Sequence, residues 1–402
     1  MSSSSTTEAT TEATPAFICD CDEKVRSACK GLSFYRAYEN KQYCVLHYPG
    51  KEKSIAFAEA LKKKLDAEDF NFRGVRFTDA VNFRKFTFTK PVSFVNAIFE
   101  KGANFRSATF SGTANFVHAT FSATANFDKA IFSGPVYFVS MTFGKEVRFN
   151  LATFNDEVRF VGEEEKIVFS EESSLLLNYA RMEHPNRISF HTVRLRPHWF
   201  TNVDAREFEF INVTWDWRHI TTRKEIKYAE QVIGSPAHTV FSIACRNLAV
   251  NAEENHRYEE ASRFRYMAMD ARRLERWRGF AFWTLGWWYW VASGYGERVW
   301  RAFVALIGIW LLAAALYTRV GFARWEPRVA TEKEAAEARR DEVGEPLRVP
   351  RALTYSLGVM TLQKPEPRPA TNAAQSLVML ETILGPVQAA LLALAIRRKF
   401  MR

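Results

Sequence analysis

Phenylalanine recurs at a fixed spacing between residues 72 and 160 of this 402-residue chain. The intervals alternate between five and six residues, so the repeating unit is eleven residues long. Such self-similarity predicts a stacked array in which each unit buries its apolar face only against its neighbours. The members of the series are Phe72, Phe77, Phe83, Phe88, Phe94, Phe99, Phe105, Phe110, Phe116, Phe121, Phe127, Phe132, Phe138, Phe143, Phe149, Phe154 and Phe160.

An eleven-residue period also suits a right-handed coil of helices, so helix and strand have to be compared. On a helix the two sets of phenylalanines would lie about 140° apart, because five residues turn through ~500°. The intervening Asn, Thr, Ser and Gly, together with Pro91 and Pro135, disfavour a helix. The residue two positions before each phenylalanine is apolar, and the residue between them is mostly polar. This period of two predicts short strands with one buried face.

Residues 103–110, Ala-Asn-Phe-Arg-Ser-Ala-Thr-Phe, and residues 125–132, Ala-Asn-Phe-Asp-Lys-Ala-Ile-Phe, resemble pentapeptide repeats of the Phe-centred kind. The resemblance implies a right-handed quadrilateral β-helix in which each phenylalanine and its i−2 neighbour point inwards. The sixth residue in alternate units departs from a strict five-residue pattern, so the number of residues per coil stays open. We expect Phe116 to be sensitive to substitution, and Asn115, which should point outwards, to be tolerant.

The net charge of +10 could indicate a nucleic-acid partner, so its location along the chain matters. Residues 70–160 hold eleven Lys or Arg and six Asp or Glu, which makes the array mildly basic. Family members that protect topoisomerases are thought to imitate DNA with an acidic surface, and this array has the opposite sign. Much of the remaining basic charge flanks apolar segments near the C-terminus, where it indicates membrane topology. A nucleic-acid partner is therefore disfavoured.

Two segments precede the capping region of the array. Residues 1–16 are rich in Ser and Thr and lack an apolar core, which is typical of a disordered tail and not of a signal peptide. Residues 17–50 are too poor in apolar side chains to fold alone, and four soft ligands with a C-x-x-H pair suit a structural, tetrahedral Zn²⁺. The candidate ligands are Cys19, Cys21, Cys29, Cys44 and His47.

Other interpretations of these cysteines stay open. Reduced thiols in a loop are one alternative, and a disulfide is another, which the absence of an export signal disfavours. Whether Cys19 or Cys21 is the ligand is also undecided. Similar Cys/His elements precede the array in some pentapeptide proteins, so the resemblance implies a structural role for this one.

Residues 51–69 predict an amphipathic helix that caps the first coil. Its expected apolar stripe consists of Ile55, Ala58, Leu61 and Leu65. The β-helix as a whole is predicted to span residues 70–217, with charged insertions and less regular coils after residue 160, and a helical spacer is predicted over 218–278. His191 and His198 are interpreted as surface or corner residues, because spacing brings no carboxylate or cysteine towards them.

Residues 279–402 predict a membrane domain. Apolar runs at about 300–320 and 373–396 are long enough to cross a bilayer. Residues 279–293 are apolar and rich in Trp but too short to span, so we expect them to lie along the interface. Arginines precede the first run and follow the second, which predicts that both termini face the cytoplasm, with the protein in a bacterial inner membrane.

A short half-apolar helix is predicted over 351–363, between the two spans. The order span, short helix, loop and span resembles the pore module of two-span potassium-channel-like proteins. In that family the short helix ends in Thr-x-Gly-Tyr-Gly, whose carbonyls replace the hydration shell of the ion. The matching positions here lack the glycines and add a cation, so the module is degenerate. They are Thr361, Leu362, Gln363, Lys364 and Pro365.

Three further residues are candidates for a pore lining. Glu381 is the single charge within the second apolar run, and acids inside membranes are functional candidates. Gly385 and Pro386 follow on the same run and could bend it. The alternative is that Glu381 lies near the extracytoplasmic interface and forms only local hydrogen bonds.

The predicted fold class is mainly β, with a β-solenoid, an α-helical spacer and a C-terminal two-helix transmembrane region. The sequence shows no nucleophile–base pair, phosphate loop or carboxylate dyad, so we expect no enzymatic activity. It favours a membrane-anchored scaffold whose cytoplasmic solenoid binds a protein partner that the sequence does not identify. The alternative is an ion-conducting pore gated by the β-helix, which requires a homo-oligomer because two spans cannot enclose a pore.

Overall fold

The computed structural model describes residues 17–163, 168–215, 217, 220–276, 284–323 and 346–400. The chain divides into two compact units, Met1–Asn251 and Ala252–Arg402. The predicted disordered tail at residues 1–16 lies outside the described residues.

Four parallel sheets form the walls of a β-helix in the first unit. In the regular part, each strand pairs with the strand 22 residues further along, as Ala114 does with Val136 and Phe121 with Phe143. One coil therefore contains two eleven-residue units and turns four corners. This arrangement confirms the predicted quadrilateral β-solenoid and settles the number of residues per coil.

The walls are named faces 1 to 4, in the order in which the chain visits them from residue 92. Face 1 contains Val92–Ser93, Ala114–Asn115, Val136–Val139, Val158–Val161, Ile188–His191 and Glu209–Ile211. Face 2 contains Arg76–Phe77, Ile98–Phe99, Thr120–Phe121 and Thr142–Phe143. Face 3 contains Val81–Asn82, Ala103–Asn104, Ala125–Asn126, Val147–Arg148 and Leu175–Leu176. Face 4 contains Thr87–Phe88, Thr109–Phe110, Ile131–Phe132, Thr153–Phe154 and Arg181–Met182.

Phenylalanine rings fill the interior of the β-helix as four columns. Ring centroids lie 4.7 Å apart for Phe105 and Phe127 and 4.4 Å apart for Phe99 and Phe121, with nearly parallel planes. This distance is close to the ~4.8 Å separation of neighbouring strands, so backbone pairing and ring stacking are satisfied together. Every phenylalanine of the predicted repeat core is at most 2% exposed, which confirms that the series points inwards.

Asparagines that precede phenylalanines help the chain to turn. The side-chain oxygen of Asn115 accepts a hydrogen bond from the backbone N–H of Val117 at 3.0 Å, and Asn104 and Asn126 form the same bond two residues on. The next residue, His118, has a φ of 57°, in the left-handed region. Asparagine suits such turns because its side chain takes the place of a backbone acceptor. The expected tolerance of Asn115 is therefore corrected: this side chain is half-buried and bonded.

The coils become less regular towards the C-terminal end of the β-helix. The pairing step rises to 28 residues between Val147 and Leu175 and falls to 20 residues between Ser189 and Glu209. The longer step contains the charged insertion expected from the sequence, of which residues 164–167 lie outside the described part of the chain. A last pair of strands is formed by Arg194–Leu195 and Thr214–Trp215, and two short 3-10 helices span Pro185–Arg187 and Pro197–Phe200.

Two histidines of these last coils meet carboxylates, contrary to expectation. Nδ1 of His198 lies 2.6 Å from Oε2 of Glu225, and both side chains are at most 5% exposed. Nε2 of His191 lies 3.5 Å from a carboxylate oxygen of Glu209. These acids are contributed by a helix and by the next coil, so spacing along the chain could not reveal them. Among the described residues, each histidine meets a single carboxylate, which forms a polar pair.

The N-terminal end of the β-helix is covered by a Cys/His element and helix α1. The element contains the 3-10 helix Glu23–Cys29 and the hairpin strands Arg36–Tyr38 and Lys41–Tyr43, and α1 spans Ser54–Asp66. The carbonyl of Leu46 accepts a hydrogen bond from the backbone N–H of Arg76 at 3.1 Å. The Phe57 ring packs edge-on against Phe77 in the first coil.

The face of α1 that is buried differs from the predicted stripe. Ile55 is 81% exposed and Ala58 is exposed, whereas Ala60 is buried. The ammonium group of the fully buried Lys53 donates to the carbonyl of Leu46 at 3.1 Å and lies 4.7 Å from the ring centre of Phe57. Burial lowers the pKa of Lys53 to about 7. The orientation of α1 is set by these contacts and not by its most apolar stripe.

Seven further helices follow in the described part of the chain. They are α2 (Thr222–Ile233), α3 (Ala237–Glu254), α4 (Tyr258–Arg276), α5 (Leu285–Ser293), α6 (Val299–Tyr317), α7 (Val349–Met360) and α8 (Asn372–Phe400). Helices α6 and α8 are long and apolar enough to cross a membrane, with mean hydropathies of 2.1 and 1.8. They match the predicted spans, and α7 matches the predicted short helix. Residues 277–283 lie outside the described residues, and they include the first part of the predicted interfacial segment, residues 279–283.

We predict that Phe116→Ala lowers the free energy of unfolding by roughly 3–5 kcal/mol, because it leaves a cavity within a close-packed column. Asn115→Ala should lower it by about 1 kcal/mol, because the N–H of Val117 loses its acceptor. Thr120→Ala, an outward change on face 2, is the control and should have an effect below about 0.5 kcal/mol. Denaturant unfolding followed by circular dichroism measures all three. Equal effects would contradict the strand register described here.

Candidate metal centre and membrane module

The side chains of all the predicted metal ligands converge in the Cys/His element. The ligand atoms of Cys19, Cys21, Cys29 and His47 lie within 4.8 Å of one another. Sγ of Cys44 lies 3.6 Å from Sγ of Cys29 and 3.3 Å from Nδ1 of His47. All of these residues are buried except Cys21, which is half-buried. The cluster contains both Cys19 and Cys21 and therefore does not by itself choose between them.

Local structure brings these ligands together from distant positions in the sequence. Cys29 ends the 3-10 helix, and Cys44 directly follows the hairpin. Cys44 and His47 share a turn in which the N–H of His47 donates to the carbonyl of Cys44 at 3.2 Å. The N–H of Cys44 also points at Sγ of Cys19, at 3.3 Å. Such N–H contacts stabilise sulfur as a thiolate, which is the form that binds metals.

The orientation of the His47 ring is fixed by the first coil of the β-helix. Nε2 of His47 lies 2.8 Å from the carbonyl oxygen of Arg73. A carbonyl can only accept, so Nε2 carries a hydrogen, and in the neutral ring the lone pair is then on Nδ1. Nδ1 lies 3.0 Å from Sγ of Cys29. A metal ligand histidine typically donates its second N–H to a carbonyl in this way.

Hydrogen bonding among the thiols makes their ionisation unequal. The hydrogen bond between Cys19 and Cys29 lowers the pKa of Cys19 and raises the pKa of Cys29. A proton shared among crowded sulfurs is readily displaced by a cation that binds several thiolates at once. The donor set of soft sulfurs and one imidazole nitrogen could therefore hold a metal ion.

The carboxylate of Glu381 is held between the two apolar helices and the short helix. Its Oε2 accepts a hydrogen bond from the hydroxyl of Tyr317 in α6, and its Oε1 accepts one from Ser356 in α7. Glu381 is 2% exposed and Tyr317 is fully buried. The Tyr317 ring also packs edge-on against Tyr355, with centroids 5.1 Å apart. In the single chain, Glu381 faces this internal contact and not an open surface.

The residues that match a channel filter form the C-terminal cap of α7. The N–H of Gln363 donates to the carbonyl of Gly358 at 2.9 Å, and the N–H of Leu362 donates to Val359 at 3.0 Å. With a φ of 60° at Leu362, these bonds constitute a Schellman motif. The end of the short helix is thus closed by its own backbone. The side chains of all the candidate filter residues are exposed, namely Thr361, Leu362, Gln363 and Lys364.

Gly385 and Pro386 lie within a continuous helix. Helix α8 runs from Asn372 to Phe400 with Pro386 inside it, so it is not interrupted at this position. A Cβ atom at Gly385 would lie 2.9 Å from Cγ of Met360, the last residue of α7. The glycine therefore permits close packing of α7 on α8.

Several polar residues of this module were not singled out from the sequence. Nε2 of Gln388 donates to the carbonyls of Ala292 and Ala302, each at 2.8 Å, and so ties α8 to α5 and α6. Tyr317 and Ser356 complete the hydrogen bonding of Glu381. In the sequence, each of these three residues is a polar group within an apolar helix. Such a group requires an internal hydrogen-bond partner wherever water is excluded.

The repeat was compared with models of known protein families. The model described as pentapeptide repeats (9 copies) matches residues 72–120 and 116–163. No match to the chain was found among curated proteins or solved structures. The family match coincides with the coils whose phenylalanine columns and 22-residue register are described above. The segment from residue 72 to residue 163 is therefore a pentapeptide-repeat β-helix.

Proposed function

We propose that this chain is a membrane-anchored scaffold without enzymatic activity, whose β-helix binds a protein partner on its outer surface. The observation that carries this proposal is the filled interior of the coils. Stacked phenylalanine rings occupy it, so ligands can be met only from outside. Solenoids of this kind offer extended surfaces for recognition. Helices α6 and α8 of the same chain could supply the anchor.

In the proposed topology both termini are cytoplasmic and the membrane is a bacterial inner membrane. Nη1 of Arg398, near the end of α8, lies 3.1 Å from the carbonyl of Tyr295, just before α6. The start of α6 and the end of α8 therefore lie at the same end of the module. Arginines and lysine concentrate there, and the cytoplasmic side of a membrane protein is the side enriched in these residues. They are Arg298, Arg301, Arg397, Arg398 and Lys399.

The scaffold proposal predicts that partner contact is confined to part of the β-helix. A photoreactive amino acid is introduced at one outward position on each face, and the full chain is irradiated in native membranes. We expect one face to yield a saturable cross-link to a single protein, and the other faces to serve as internal controls. Cross-linking that is absent or equal on all faces would contradict the proposal. The positions are Tyr137 (face 1), Thr120 (face 2), Arg148 (face 3) and Thr109 (face 4).

We also propose that the Cys/His cluster binds one structural Zn²⁺. Two observations support this assignment. The donors are mostly soft thiols, and the Nε2–H of His47 is already bonded to a carbonyl, so Nδ1 of the neutral ring is available to a cation. When bound, zinc would supply a rigid cross-link between the 3-10 helix and the turn that follows the hairpin. His47 also holds the Arg73 carbonyl, so this cross-link would extend to the first coil of the β-helix.

Removing the metal should loosen the cap while leaving the coils folded. We expect about one zinc per chain, lost in Cys29→Ser and His47→Ala, with faster hydrogen exchange over residues 17–50 and unchanged exchange over residues 92–160. Cys245→Ala is the control, because Cys245 is the one cysteine of the chain outside the cluster. Elemental analysis showing no zinc in protein purified without chelators would exclude the assignment.

A second candidate function is an oligomeric ion-conducting pore. It is favoured by the position of the short helix α7, which is bonded to both apolar helices: Ser356 contacts Glu381, and Nε1 of Trp310 donates to the carbonyl of Leu353 at 3.0 Å. The C-terminal cap of α7 favours the scaffold instead, because the N–H groups of Thr361, Leu362 and Gln363 turn back onto the helix and the positions that follow lack the glycines of a channel filter.

Planar-bilayer recording and mass measurement on the purified full chain distinguish the two functions. We expect no unitary current from the wild type, and we expect Glu381→Ala to lower the thermal midpoint because two buried hydroxyls lose their acceptor. Glu381→Gln, which retains an acceptor oxygen, should lower it less. A cation current that changes with Glu381→Gln in an oligomer of intact mass would support the pore and contradict the scaffold as the sole function.

A further inference from the structure

The corner between faces 3 and 4 differs in chemistry from the rest of the β-helix. Its successive turns stack one coil apart, as the N–H of Lys85 donates to the carbonyl of Arg106 at 3.0 Å and the N–H of Ser107 to Asp128 at 2.8 Å. We call this convex stack of corners the 3–4 ridge. It consists of Arg84, Lys85, Arg106, Ser107, Asp128, Lys129, Asn150, Leu151, Asn178 and Tyr179.

The ridge carries exposed cations that lack acidic partners. Among the described residues, no carboxylate lies within ion-pair distance of Arg84, Lys85, Arg106 or Lys129. On other parts of the β-helix most cations are paired, as in Arg148–Glu146 at 2.6 Å and Arg159–Glu157 at 2.5 Å. The charge of the ridge is therefore available to an external anion.

The single acid on the ridge is engaged within the fold. Oδ1 of Asp128 accepts hydrogen bonds from the backbone N–H of Asn150 at 3.0 Å and from Nδ2 of Asn150 at 2.9 Å. The adjacent face 4 has no acid among the outward residues of its strands. These residues are Thr87, Thr109, Ile131, Thr153 and Arg181. Asp128 is therefore the one acid among the ridge residues and the outward residues of the face 4 strands.

Large apolar side chains project from the C-terminal half of the ridge. Leu151 is 52% exposed and Tyr179 is 64% exposed, while Ile131 on the adjoining strand is 42% exposed. Leu151 and Tyr179 have φ values of 58° and 57°, in a left-handed region that bulky residues disfavour. Ser107 occupies the same corner position two coils before Leu151 and three coils before Tyr179. Exposed Leu and Tyr side chains at backbone positions that disfavour them point to a role outside folding.

We propose that the 3–4 ridge docks on an anionic phospholipid leaflet. Its cations would contact lipid phosphates, and Leu151 and Tyr179 would enter the headgroup region, which is the composition of a peripheral membrane-binding surface. The four coil steps of the ridge extend about 19 Å at ~4.8 Å each, and a convex edge of this length fits a flat surface better than it fits a peptide, which needs a groove. This inference goes beyond the proposed scaffold and does not depend on its protein partner.

The test uses the full chain in nanodiscs of zwitterionic phosphatidylcholine and measures its co-sedimentation with added vesicles. We expect binding to vesicles that contain one quarter phosphatidylglycerol and none to vesicles of phosphatidylcholine alone. Arg106→Glu should lower the binding constant by about tenfold, since it removes one cation and adds one anion at the surface. Lys145→Glu changes the net charge equally on another corner, where Lys145 is also unpaired, and should have little effect.

The apolar part of the ridge is tested by the double variant Leu151→Ser/Tyr179→Ser, which places at both corners the residue that Ser107 already provides. We expect severalfold weaker vesicle binding with an unchanged thermal midpoint.

Equal effects of Arg106→Glu and Lys145→Glu on vesicle binding would overturn the proposal, because they would show that binding follows net charge and not the ridge. Competition by soluble polyglutamate as strong as that by lipid, with no effect of the double variant, would overturn it in favour of an acidic polypeptide. Neither result alters the face-dependent cross-linking that tests the scaffold.

Discussion

The stacking of phenylalanine rings at the spacing of paired strands is the contact on which the first unit depends. Rings of successive coils lie 4.4 to 5.6 Å apart along every column, from Phe77 on Phe99 to Phe190 on Phe210. Because the same distance suits a parallel sheet, each coil repeats the cross-section of the one before it. A chain with this interior has no central cleft in its stacked coils, so its chemistry is placed on corners, faces and ends.

The ends of such a stack require protection, because unpaired strand edges invite association with other chains. At the N-terminal end, Leu46 and His47 meet the backbone of the first coil, and the Cys/His cluster that could hold a metal includes His47. At the other end, Nδ2 of Asn251 donates to the carbonyls of Ala205, Arg206 and Phe208, and Glu225 reaches His198. Both caps use polar side chains to satisfy backbone groups that no further coil can pair.

In the second unit, polar side chains on apolar helices are also paired with hydrogen-bond partners. Glu381 and Gln388 lie on α8 and are bonded to groups of other helices, so burial of each polar side chain fixes a helix contact. These contacts explain how the short helix α7 is held between α6 and α8. The short helix docks on α8 at Gly385, and its end closes on itself at Leu362.

The sequence by itself determined the β-helix, its inward phenylalanines, its candidate metal ligands and the two apolar helices, because each of these follows from spacing or composition along the chain. Only the tertiary structure decided the 22-residue coil, the buried side of α1 and the carboxylates beside His191 and His198. It also placed Tyr317 and Ser356 on Glu381 and left the cations of the 3–4 ridge unpaired. These features join residues that are distant in the sequence, and a periodic pattern records which way a side chain points but not which side chain it meets.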